Sequence, residues 1–122
     1  MNQTLDQARS RFSWERTKGP MEGGQADEYK NLTAGAPAMI MSNGLMQTMA
    51  YWQAKQGAAH ESLLQTVIDW LATAKVVEVR QGARFDQFIE ILHGTDGDTY
   101  MRCTDETLAL LRWVRQFAKV RS

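Results

Sequence analysis

The chain has 122 residues, 43% of them apolar, 14 basic against 14 acidic side chains, and a single cysteine, Cys103. That is the length of one domain with a real core. It excludes an internal disulfide, and it excludes a bulk field that would pull the whole molecule onto nucleic acid or membrane, so any nucleic-acid contact must come from a local patch.

The amino-terminal stretch MNQTLDQARSRF has no apolar core segment, so no secretory signal is expected, and a lone cysteine suits a reducing, cytoplasmic setting. Leu5, Ala8 and Phe12 are spaced as one helical face, with Thr4 and Gln7 placed as a capping box. This helix is predicted to end near Gly19-Pro20, with Gly19 to Gln25 as a loop. A second helix is predicted from Ala26 to Ala34, stopped by Gly35. Pro37 then suits the first turn of a third.

GAPAMIMSNGLMQTMAYW, Gly35 to Trp52, raises a question because Asn-Gly between apolar runs is a hairpin signal. Phase decides against the hairpin. Ala38, Met41, Leu45, Met49 and Trp52 keep helical spacing through the pair, whereas a strand reading gives no clean face. A mid-helix glycine costs only about 1 kcal/mol relative to alanine. A helix is expected here, continuous or restarting with Asn43 as its N-cap. The 24 uncharged residues from Asn31 to Ala54 are too rich in Asn, Gln and Pro to span a membrane.

Gln56-Gly57 breaks the chain. Leu63, Leu64, Val67, Ile68 and Leu71 form a dense helical stripe with Trp70 beside it. Residues 75–84 are ambiguous: their valines suggest extended chain, but no second strand exists to pair with them. Phe85, Phe88, Ile89 and Leu92 make a short helix, Gly94 to Asp98 a turn, and Thr104-Asp105-Glu106 is predicted to open the last helix. In that helix Leu110, Leu111, Val114, Phe117 and Ala118 share one side. The expected fold class is all-α: a single compact bundle of five to six helices spanning residues 1–122.

Chemistry is sparse. Glu90 and His93 have the Glu-x-x-His spacing of helical di-iron sites, but such sites need a second motif and two more Glu. With Asp86 these residues also make the rival reading of a small metal-dependent enzyme. A helix-turn-helix DNA binder is a third reading. No phosphate loop, nucleophile or metal framework surrounds them, so neither cofactor nor metal is expected. Cys103, ahead of Asp105, is expected to be a buried small residue rather than a reactive thiol.

The basic residues are more informative. Arg112, Arg115 and Lys119 fall within about one-sixth of a helical wheel, away from the apolar side. Arg9, Arg11, Arg16 and Lys18 crowd the first helix. Such stripes are ordinary solvated faces or phosphate contacts, which give affinity without sequence information. Arg112, Arg115 and Lys119 are the first candidates for RNA contact, Lys18 and Arg11 the second.

Two segments also resemble a known family. Tyr100 to Ala118 has a Tyr, then Thr104 with Glu106 two residues on, then an apolar run ending Trp-x-x-x-Phe-Ala with basic residues between. Pro37 to Ala50 is built on Pro, Ile, Asn-Gly-Leu and Gln-Thr-x-Ala. Both are similar to signatures of the small helical subunit of the Cmr complex, the type III-B CRISPR RNA-guided effector. Met46 and the bulky Tyr51-Trp52 depart from the pattern.

The resemblance implies an all-helical, non-catalytic structural subunit. Copies would stack head to tail in the minor filament beside subunits that carry the guide RNA, and help hold the guide RNA–target RNA duplex. Its partners would be other Cmr subunits, further copies of itself and the two RNAs, in antiviral defence and away from any membrane. Gly44, in the Asn-Gly-Leu mark, is the candidate for a close-packing or interface position.

Overall fold

The computed structural model describes residues 2–122, which form six helices: α1 (Leu5–Glu22), α2 (Ala26–Asn43), α3 (Leu45–Lys55), α4 (Ala58–Thr73), α5 (Phe85–His93) and α6 (Gly97–Arg121). No strand occurs among the described residues. The core is built on Trp52, Trp70, Tyr29, Phe88 and an aliphatic group that includes Ile40, Leu45, Leu63, Ile68, Leu110 and Leu111, all essentially inaccessible to water. The stripe predicted on α4 is buried in full.

Helix α1 begins as expected, with Thr4 and Gln7 closing a reciprocal capping box. It does not stop at Gly19-Pro20 but carries Pro20 in its last turn and ends at Glu22. Likewise α2 runs through Gly35 and Pro37 without interruption. An interior proline costs about 3 kcal/mol. Tyr29, Thr33, Ala36 and Ile40 form one unbroken buried stripe across the site, and burying it offsets the cost.

The break falls at Gly44 instead. Its φ of 85° and ψ of 163° lie in a region only glycine occupies readily, and it serves both as the end of α2 and the N-cap of α3. Asn43 is therefore the last residue of α2, not the cap of α3. The turn resets the helical phase, which corrects the single-face reading: Leu45, Met49 and Trp52 are buried, but Met41 is 77% exposed. Within the chain, a Cβ at Gly44 would meet only Tyr100 Oη at 3.7 Å, an ordinary contact, so the backbone angle and not crowding calls for glycine.

Residues 75–84 form an irregular connection, and Asp69 organises it. One Asp69 carboxylate oxygen accepts from Gly82 N and from Gln65 Nε2, each at 2.9 Å, and the other pairs with Arg16 at 2.8 Å. Gln65 also donates to the Ala83 carbonyl at 3.0 Å.

Helix α6 starts seven residues earlier than Thr104. Asp96 caps it by accepting from Thr99 N at 2.7 Å, and Thr104 sits inside the helix, donating to the Tyr100 carbonyl at 3.3 Å. Side-chain contacts join residue 9 to 106, 14 to 117 and 17 to 121, so α1 and α6 lie side by side and run parallel.

Candidate nucleic-acid interface

The surface that α6 shows to solvent follows from its inner face. Cys103, Thr107, Leu110, Leu111, Val114 and Ala118 are buried, which leaves Arg112, Arg115 and Lys119 on the outside, all exposed. From Thr107 to Ser122 the sequence holds four basic residues and no acid. None of Arg112, Arg115 and Lys119 forms a salt bridge among the described residues. Three cations on one face, of which only Arg112 has a carboxylate nearby in Asp6, make a local positive stripe on a neutral protein.

The basic residues of α1 divide. Arg9 is spent inside the molecule: its guanidinium makes a forked contact with Glu106, at 2.8 Å for Nη2, and reaches Asp6 at 3.2 Å. Arg16 pairs with Asp69 and lies 4.7 Å from the centre of the Phe12 ring. Arg11 and Lys18 are exposed, but Glu15 and Glu22 follow each by four residues, a neighbouring position on the helix surface. Their face is of mixed sign.

Glu106, part of the carboxyl-terminal signature, is thus a structural joint. It accepts from Arg9 of α1 and from the Trp70 indole of α4 at 3.0 Å. Burial pushes its carboxyl up, but the Arg9 and Trp70 hydrogen bonds outweigh that and hold it below the usual carboxylate range. Tyr100, from the same signature, accepts the Met46 N–H at 3.1 Å in the first turn of α3, just past Gly44. The two segments that carry the family resemblance therefore touch. Spacing along the chain does not mark Asp69 and Glu106 as joints, although an acid inside the apolar run LLQTVIDWL is the signal that could have found Asp69.

The other candidates lie apart. Cys103 is buried in mid-helix, and burial pushes its thiol up, away from the reactive range. Glu90 and His93 lie on α5, away from the stripe, and no three His, Cys, Asp or Glu side chains converge among the described residues. Also among the described residues, no helix is long and apolar enough to cross a membrane.

Fold and surface together define a small all-helical bundle whose longest helix carries a basic stripe along its carboxyl-terminal half. A sequence profile described as "CRISPR-associated protein (Cas_Cmr5)" matches residues 5–120, and the chain belongs to that family. It is 23% identical over 116 residues to the "CRISPR system Cmr subunit Cmr5" of Thermus thermophilus, covering 95% of this chain and 94% of that protein. Its fold is similar to the crystal structure of a CRISPR-associated Cmr5 family protein from the same organism, with a TM-score of 0.79, 22% identity, and coverage of 98% of this chain and 97% of that one.

Proposed function

We propose that this chain is a structural subunit of a Cmr RNA-guided effector working in the cytoplasm. It would contact the phosphate backbone of bound RNA through Arg112, Arg115 and Lys119, while its remaining surface meets neighbouring Cmr subunits and further copies of itself. Family membership supports the assembly. The single observation that carries the RNA contact is the exposed stripe on α6, free of internal ion pairs and of acids along its last four turns. Arg11 and Lys18 rank second because Glu15 and Glu22 screen them. Stacking of copies needs two unlike, non-closing interfaces. Exposed Met41 on α2 and Met101 on α6 are available for one of them.

The experiment is charge reversal of Arg112, Arg115 and Lys119 to Glu, followed by target-RNA binding to the assembled complex across a salt series. Loss of phosphate contacts lowers both the affinity and the salt slope, by about 0.7–0.9 per contact removed. Unchanged affinity and slope in an assembled complex would exclude the stripe as an RNA surface. Failure to assemble would make it a protein contact instead.

A further inference from the structure

Parallel packing of α1 and α6 leaves a groove of about 560 Å³ between them, walled by Trp14, Trp113 and Phe117 and bordered by Arg11, Ser10 and Gln3. That volume is within the range of about 300–1,000 Å³ typical of small-ligand sites. Trp14 is 44% exposed, unusual for so large an apolar ring. The rings are held in place. Trp14 meets Phe117 edge to face at 5.2 Å, and Trp113 lies 5.6 Å from Phe117. The Trp113 indole N–H donates to Asp6 at 2.9 Å. The Arg121 guanidinium sits 3.6 Å over Trp14, fixed by hydrogen bonds to the Thr17 hydroxyl at 3.0 Å and the Trp14 carbonyl at 2.7 Å.

The surrounding charge leans positive, although Glu15 neighbours Arg11 on the surface of α1. Arg11 borders the groove, Arg121 covers part of Trp14, and Arg112 borders the adjoining hollow on the far side of Trp113. The one carboxylate in the groove wall, Asp6, is engaged by the Trp113 indole, which holds its carboxyl below the usual range, and by Arg9. Fixed aromatic rings next to cations are the means by which proteins hold single-stranded nucleic acid: rings stack on bases and cations follow phosphates.

We infer that this groove seats an unpaired nucleobase of a bound RNA strand against Trp14, Trp113 and Phe117, with the strand's phosphates on Arg112 and the α6 stripe. The inference rests on the RNA-contact reading above and adds base stacking to it.

Two of the four tryptophans, Trp52 and Trp70, are fully buried, so quenching of intrinsic fluorescence reports on Trp14 and Trp113. The test titrates the full chain, at low salt, with a short uridine oligoribonucleotide and with an abasic ribose-phosphate oligomer of equal length and charge. The base-bearing strand should quench and bind about tenfold more tightly, the worth of a single stacked base. Trp14→Ala should reduce its affinity to the abasic level, and Trp14→Phe should retain most of it, with circular dichroism showing both folded. Equal affinity for the two oligomers overturns the stacking site and leaves the phosphate stripe standing. Binding to neither overturns both. A Trp14→Ala chain that binds RNA as before but no longer copurifies with neighbouring subunits would make the groove a protein joint, and also overturns the inference.

Discussion

Glu106 shows at the scale of one residue how a family mark is held by structure. Its side chain joins α1 and α4 to α6 through charge-assisted bonds that are largely shielded from water. Replacing it by glutamine leaves Arg9 with only the exposed Asp6 as counter-charge and should cost about 2–3 kcal/mol of unfolding free energy at neutral pH. The pH dependence follows from the lowered carboxyl. A group whose folded pKa lies below its unfolded value stabilises the fold above the unfolded value, and that contribution is lost as pH falls through the folded one. The gap between wild type and Glu106→Gln should therefore be full at pH 7 and close in acid, below the usual carboxylate range. Urea denaturation at several pH values measures it; a gap independent of pH would show that the charge is not what matters.

Glycines differ at the same scale. Gly44→Ala should cost about 1–3 kcal/mol, because its φ of 85° with ψ of 163° strains any side chain. Gly35→Ala, inside α2 with open space around its Cβ, should stabilise by about 0.4–1 kcal/mol. Thermal melts of the pair test this directly, and equal effects would refute the backbone account of Gly44.

Elements were legible in the sequence where periodicity and capping agreed. The α1 capping box, the α4 stripe, the short α5 and the apolar side of α6 all could be read from residues alone. Boundaries set by glycine and proline could not. Gly19-Pro20 and Gly35-x-Pro37 read as stops, yet tertiary burial of Tyr29, Thr33, Ala36 and Ile40 carries α2 through the second of them. The reverse happened at Asn43-Gly44, where an apparently continuous period hid a turn. Thr104-Asp105-Glu106 resembles a helix start by composition, but Asp96 caps α6 and Glu106 is used for its charge inside the bundle. Such errors share a cause. Local residue preferences are worth about 1–3 kcal/mol each, and a stripe of buried side chains outweighs them.

The site followed the same division. That Arg112, Arg115 and Lys119 share an exposed face was legible because they lie on one helix, where spacing alone fixes a face. The neutralisation of Arg9 and Arg16 was not, since Glu106 and Asp69 lie on other helices and only the parallel packing of α1 on α6 and the contact with α4 bring them together. The aromatic groove was illegible for the same reason: Trp14 and Trp113 are 99 residues apart in sequence.

At the scale of the whole molecule, equal numbers of acids and bases are partly sorted. Internal pairs absorb Arg9 and Arg16 with Asp6, Glu106 and Asp69, and the carboxyl-terminal half of α6 is left positive. A neutral chain with one charged face is suited to a place in an assembly, where one side meets RNA and the others meet protein. The central claim is membership of an RNA-guided complex, and copurification tests it most directly. Tagged chain, expressed with the neighbouring Cmr subunits and a guide RNA, is passed through affinity and size-exclusion columns, and the RNA in the peak is sequenced. The chain, the other subunits and the guide RNA are expected to leave the column in one peak. A chain that elutes alone and free of RNA would contradict the claim.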